Sequence, residues 1–354
     1  MTDRPAAARA LVLAHGWNAM SYQVLNPGFT HWFDDAGDAL VGYVRHGRVR
    51  VAAGAPICPA DRVATVAAAF ERDARSHGER NLWVGAGTRL ERVLASDRSH
   101  ATLPLGAQPW WDPRRWHVDG ADRASLRAQL HRARNKGVEV ESWPPPIAAQ
   151  RRPALQRILD GWLATRGLPP LHFLIEPQTL DRLDDRRVFV AVRGTTPIAF
   201  MLATPIPARR GWLIEQWPRL PQAPNGTVEL LLDTVMRALG TDGAEQVTLG
   251  LAPLSTRAPC AAAPAAPLPA WVRLARRWAH AHGRRFYDFD GLDAFKAKFV
   301  PDHWEPLVAI VDRPRVDAGA LWAIAGAFGR ANPALLALRG LTRALRTELR
   351  RTVR

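Results

Sequence analysis

Residues 287–307 read YDFDGLDAFKAKFVPDHWEPL, the densest concentration of chemistry-bearing side chains in the chain. Phe286, Phe289 and Leu292 predict a strand entering a turn at Gly291, because glycine readily adopts the positive φ of a tight turn. Asp293 is the expected N-cap of a short helical turn carrying Phe295, Lys296, Lys298 and Phe299, and Pro301 is expected to stop it. The lysines stand out against the rest of the sequence. Of 48 basic residues only three, Lys136, Lys296 and Lys298, are lysine, and two of them lie here. An ammonium on a flexible stem shifts its proton affinity readily, which a guanidinium does not.

Working outward, 354 residues are enough for two domains with separate cores. The formal charge of +15 favours polyanionic partners, nucleic acid or an anionic membrane surface. Cys58 and Cys260 lie far apart with no metal spacing around either, so neither a disulfide framework nor a metal site is expected. The first residues, MTDRPAAARALVLAHGW, lack the apolar core of a signal peptide, and no apolar run is long enough to span a bilayer. A cytoplasmic protein is expected.

In chain order, a lead helix over 1–20 is followed by a hairpin over 39–56 turning at His46-Gly47, then a helix to Ser76 with Asp61 as its cap. Val63, Val66, Ala67 and Phe70 fall on one face of that helix. A strand over 81–85 and a helix over 89–94 follow. The intervening Gly85-Ala-Gly87 lacks a longer phosphate-loop fingerprint and reads as a tight turn. The stretch PWWDPRRWHV reads as a strand. After it, DRASLRAQLHRARNKG (122–137) reads as a helix capped by Asp122 and Gly137. Arg123, Arg127, Arg132, Arg134 and Lys136 crowd this helix with little compensating acid, which points to a polyanion. Trp143-Pro-Pro-Pro146 reads as a stiff linker and the domain boundary.

The second half repeats the outline. A helix runs over 154–165, strands over 188–193, 198–204 and 212–217, and a helix over 227–239 begins after the turn Asn225-Gly226 and places Glu229 and Asp233 on one face. A strand over 247–251 ends at Gly250. An Ala/Pro-rich loop (258–269), a basic helix (271–282) and the opening stretch complete this half. In the tail, Leu338, Leu341, Leu345 and Leu349 form a helical stripe among arginines, suited to an anionic membrane through 338–354.

APNGTVELLLDTVMRAL, VTLGLAPLS and YDFDGLDAFKAKFVPDHWEPL together resemble the C-terminal domain of phosphatidylglycerol lysyltransferases, over about residues 20–310. LRAQLHRARNKGVEV is similar to that family's basic inter-domain helix. The resemblance implies an α/β (α+β) fold of tandem GNAT-like (acyl-CoA N-acyltransferase-like) domains: 1–121, a basic helix and linker over 122–146, a catalytic domain over 147–312, and a helical tail over 313–354. It implies transfer of an amino acid from aminoacyl-tRNA, as co-substrate, to a hydroxyl or amine acceptor such as phosphatidylglycerol, with no further cofactor and no metal. Two departures are evident. The family's membrane-embedded region is expected to be absent, which leaves the acceptor open. The acidic-then-Arg strand reads LIEQWPR, placing Glu215 and Arg219 at altered spacing and leaving the amino acid open.

Such a transfer needs a carboxylate for the substrate ammonium or for proton transfer, donors for an oxyanion, and cations for phosphates. Glu215 and Glu229, with Lys296 and Lys298, are the catalytic candidates. Asn225, Gly226, Asp233, Gly250, Arg219, Tyr287 and Phe295 are the substrate-binding candidates, and the arginines of 123–134 with Lys136 the tRNA-binding ones. Two other classes stay open: a GNAT-type acyltransferase using acyl-CoA, and a non-catalytic RNA- or membrane-binding protein. The first wants a Gly-rich turn opening a helix, where APNGTVELL has one glycine. The second leaves the acids beside the aromatic cluster without a role. The expected location is the cytoplasm, peripheral on the inner face of the membrane.

Overall fold

The computed structural model describes residues 3–95, 99–166, 172–259 and 288–329. The helices are α1 (Arg4–His15), α2 (Val63–Ser76), α3 (Thr88–Ala95), α4 (Ala124–Asn135), α5 (Arg152–Ala164), α6 (Thr227–Thr241), α7 (Phe289–Ala297) and α8 (Ala318–Gly329). The strands are β1 (Thr30–Phe33), β2 (Leu40–His46), β3 (Val49–Ala53), β4 (Arg80–Ala86), β5 (Ala101–Trp111), β6 (Val138–Trp143), β7 (Arg187–Arg193), β8 (Thr196–Ile206), β9 (Gly211–Gln216), β10 (Gln246–Thr248), β11 (Ala252–Pro253) and β12 (His303–Val311).

All the strands join one mixed sheet, ordered β1-β2-β3-β4-β12-β5-β10-β9-β8-β7-β6, with β11 paired to β5. The expected α/β character is present. Two motifs recur along this sheet. β1, β2 and β3 form an antiparallel meander, and α2 then carries the chain to β4, parallel to β3. β6 to β9 form a second meander, and α6 carries the chain to β10, parallel to β9. Parallel neighbours need such a crossover, and a helix supplies it.

Helices cover both faces, so strands bury both sets of alternating side chains. In β7, Val188, Val190 and Val192 pack with Leu155 and Ile158 of α5, while Phe189 and Ala191 pack with Leu230 and Leu231 of α6. In β4, Trp83 packs with Phe70 of α2, while Leu82 and Val84 join Val12 of α1. Near-continuous apolar runs follow from this two-sided burial.

The two meanders are joined by a strand from late in the chain. β12 lies between β4 and β5, antiparallel to both, with Ile310 opposite Trp83 on one side and His303 opposite Trp110 on the other. The proline run at 144–146 does not divide the sheet, since β6 ahead of it pairs with β7 after it.

Several local expectations need correction. Residues 289–292 begin α7 rather than end a strand, and Asp288, not Asp293, caps it by accepting from Gly291 N at 2.9 Å. Asp61 and Asp122 lie in single 3₁₀ turns and cap neither α2 nor α4. β1, β6 and β12 are elements that periodicity did not reveal: β1 and β6 are short with mixed patterns, and nine-residue β12 pairs with strands distant in sequence. Phe286, Tyr287, most of the Ala/Pro loop, the helix expected over 271–282 and the stripe over 338–349 lie outside the described residues.

Candidate functional site

The site forms where α6 begins. Gly226 precedes it with φ +93°, and a Cβ there would lie 2.1 Å from the carbonyl oxygen of Gln129. Only glycine permits this approach, which brings α4 against the first turn of α6. Thr227 ties the turn by donating from N at 3.2 Å and from Oγ1 at 2.7 Å to Pro224 O. Leu230 N bonds Gly226 O at 2.9 Å, so the helical ladder starts there, which leaves the amides of Val228 and Glu229 at the helix end.

A cleft of about 300 Å³ opens at this end, lined by Gln129, Arg132, Arg219, Asn225, Glu229 and Phe295 among others. Residues 218–220 run beside β8 as a short strand-like segment, with Ala199 opposite Arg219, and this sets Arg219 on the wall. The helix end and two arginines make the cleft electropositive. Glu229 stands within it and holds the ammonium of Lys298 through Oε1. Lys298 also lies over Phe295 and Phe299, its Nζ 4.5 and 5.1 Å from their centroids. Phe295 in turn stacks on Trp217 at 6.2 Å and 22°.

The turn beyond Lys298 is clamped from below. Trp111 Nε1 donates to Phe299 O at 2.9 Å, and Val300 adopts φ +51°, an unusual conformation for a β-branched residue. Arg123 is buried there, donating to His117 O at 2.7 Å and Val300 O at 3.5 Å and covering the Trp116 ring. The strained turn therefore fixes where Lys298 points.

The predicted residues divide sharply. Arg132, Arg219, Asn225, Gly226, Glu229 and Phe295 converge on the cleft, with Lys298 bound to Glu229. Lys296 is held elsewhere. It is fully buried, and its Nζ donates to the carbonyls of Leu249, Gly250 and Leu251 at 2.8, 2.9 and 2.7 Å. All three ammonium protons are used at the break between β10 and β11, where Gly250 takes φ +70°. Burial pushes the Lys296 ammonium down to about 7, with Asp293 pulling the other way.

Glu215 is likewise committed. It accepts from Arg186 Nε at 2.6 Å and Gln23 Nε2 at 2.8 Å, and Arg186 also donates to Asn26 at 2.9 Å. This buried network ties β9 to residues 21–26. Asp233 is 2% exposed, accepting from Trp116 Nε1 at 2.8 Å and Arg237 Nε at 3.1 Å. The α4 cations differ among themselves: Arg127 caps the carbonyls of Val118 and Gly120, while Arg132, Arg134 and Lys136 are exposed. Tyr287 lies outside the described residues. Gln129 and Thr227 line the cleft and were not anticipated. The spacing of Gln129 three before Arg132 on one helix face was the signal available for the first. Among the described residues, no cluster of His, Cys, Asp and Glu could hold a metal ion, and no helix is long and apolar enough to cross a membrane.

Residues 9–310 match the family described as phosphatidylglycerol lysyltransferase, C-terminal. The chain belongs to this family. A phosphatidylglycerol lysyltransferase of Bacillus subtilis (strain 168) is 22% identical over 299 residues, which is 84% of this chain and 34% of that protein. The chain thus spans about a third of the length of that relative. The structure of L-PGS from Bacillus licheniformis superposes with a TM-score of 0.77 at 21% identity, covering 92% of this chain and 98% of that one. The DUF2156 C-terminal domain of an Agrobacterium fabrum protein gives 0.76 at 24% identity, covering 92% and 96%. The family resemblance drawn from the three sequence stretches holds, and the family fold extends over nearly the whole chain.

Proposed function

We propose that this chain transfers an aminoacyl group from aminoacyl-tRNA to a hydroxyl of phosphatidylglycerol, acting at the cytoplasmic face of the membrane through two acyltransferase-like halves. The observation that carries the proposal is the α6 cleft, in a chain of this family. One open cavity there presents a carboxylate that is bonded to a lysine, two arginines and the start of a helix.

Each group answers a need of the reaction. Glu229 Oε1 holds Lys298, and its second oxygen accepts the α-ammonium of the aminoacyl group. The amides at the start of α6 polarise the ester carbonyl and stabilise the oxyanion that forms when the lipid hydroxyl attacks. Arg132 and Arg219 bind phosphates at the tRNA end, with Arg134 and Lys136 extending the track along exposed α4. The acceptor oxygen bonds the acyl carbon as its O–H bond breaks, and the proton passes to water in the open cleft. The acyl–ribose bond then breaks, and the ribose oxygen takes up a proton from solvent in the open cleft.

The test incubates purified protein with tRNA charged from a labelled amino-acid mixture and with phosphatidylglycerol vesicles, then follows label into the lipid fraction. Transfer should occur and be abolished by prior RNase treatment. Glu229→Gln and Arg219→Met should each weaken use of the charged tRNA by about tenfold or more, because each removes a charge-assisted bond worth roughly 1.5–3 kcal/mol. Absence of lipid label with every charged tRNA, alongside transfer from acyl-CoA, would sink the reading in favour of a CoA-dependent enzyme.

A further inference from the structure

A smaller cleft, of about 30 Å³, lies in the first meander half, beside the start of α2 and the start of α3. Its place matches that of the α6 cleft, since both open where a meander strand departs for its crossover helix. Pro56 and Val63 mark the β3–α2 connection on one side, and Thr88 and Arg89, the first residues of eight-residue α3, lie on the other.

Two buried polar atoms on residues of this cleft have no partners among the described residues. Gln108, 2% exposed, leaves Oε1 unbonded, and Arg89 leaves Nη2 unbonded. Native folds seldom leave such groups orphaned, because each costs about 1–3 kcal/mol. Both residues line this cleft. The surrounding charge is defined. Arg209 is spent on Glu305, with a bidentate contact at 2.9 and 3.1 Å, which leaves Arg89 as the uncompensated cation of the lining. Trp17 also lines the cleft, with Arg89 at 5.3 Å and Arg209 at 4.5 Å from its ring centroid.

We propose that this cleft is a second binding site, for a small singly charged oxyanion of about the size of phosphate. The volume sets the size: at roughly 10–15 Å³ for one water, the cleft seats two or three water-sized groups and no nucleotide. Arg89 Nη2 and the α3 amides bind the anionic oxygens. Gln108 Oε1 accepts a remaining O–H of the ligand, or its amide turns over and donates. The site stands apart from the α6 cleft and does not rest on aminoacyl transfer.

Equilibrium dialysis of the full chain against radiolabelled inorganic phosphate tests it. A saturable site that persists in Arg219→Met is expected, weakened about tenfold or more by Arg89→Met and by Gln108→Leu, and less by Arg89→Lys. Both apolar variants delete an orphaned atom, so their thermal midpoints should stay at or above that of the unaltered chain, which separates lost binding from lost folding. Displacement of label by phosphatidylglycerol vesicles, or by glycerol phosphate alone, tells a lipid phosphodiester from a free anion, and either supports the site. Absence of saturable uptake at millimolar phosphate overturns the proposal. So does uptake abolished by Arg219→Met and untouched by Arg89→Met, which would place the anion in the α6 cleft.

Discussion

At the scale of single residues, two lysines spaced two apart in sequence have opposite fates. Lys298 bonds Glu229, which lines the cleft, while Lys296 is drawn inward to three carbonyls. Because burial lowers the folded-state value of Lys296 to about 7 from 10.5, the unfolded chain binds more protons between those limits. Stability attributable to this residue should therefore rise with pH across that window and stay flat below it. Urea unfolding of the natural chain and Lys296→Met over a pH series checks this, and the difference between them should grow by a few kcal/mol from pH 7 to 10. A difference that stays constant would mean the ammonium remains charged throughout.

Gly226 offers a second residue-scale test. Gly226→Ala places a methyl 2.1 Å from a backbone oxygen at φ +93° and should cost more than about 2 kcal/mol. Gly47→Ala, at φ +59° with nothing within 4 Å, should cost about 1 kcal/mol. Chemical denaturation of both variants distinguishes a steric contact from a purely conformational cost. The need for glycine at a turn was legible at Asn225-Gly226. The backbone it had to admit was not, since Gln129 belongs to a helix nearly one hundred residues earlier.

At the scale of elements, α6 carries both outcomes on one face. Glu229 and Asp233 are four apart, and spacing alone treats them alike. The structure does not. Glu229 sits at the open end, whereas Asp233 lies one turn deeper against Trp116. Asp233→Ala should cost about 2–4 kcal/mol by stranding the indole N–H and loosening Arg237, measured by urea unfolding, while transfer by the folded fraction stays within about twofold. Helices α2, α4, α5 and α6 were readable because their apolar stripes are local, although Asp61 and Asp122 fall in 3₁₀ turns ahead of α2 and α4 rather than capping them. The start of α7 was misread because DFDG satisfies a turn and a capped first helical turn equally well. Asp288 bonding Gly291 N decides for the helix.

At the scale of the whole molecule, β12 is the feature that unites the two meanders. Without it β4 and β5 would each present an unpaired edge to water. A fragment ending at residue 146 should therefore lack a cooperative thermal transition, even though it contains α1 to α4 and a complete first meander. Extending the fragment to residue 329 should restore the transition, which calorimetry would register. A cooperative unfolding of the 1–146 fragment would show that the first half is self-sufficient.

By itself, the sequence determined the mixed α/β character, the principal helices, the family, and six of the residues that line the α6 cleft together with Lys298. These follow from apolar periodicity, glycine and proline punctuation, and short motifs, all of which act over a few residues. Tertiary structure alone decided that Glu215, Asp233 and Lys296 turn inward, that Arg123 serves a turn, and that the stretch beginning at residue 288 continues into the strand closing the sheet. The physical reason is common to all of them. Whether a polar group faces solvent or satisfies a buried partner depends on ladder pairings between distant segments, and no local pattern encodes the partner.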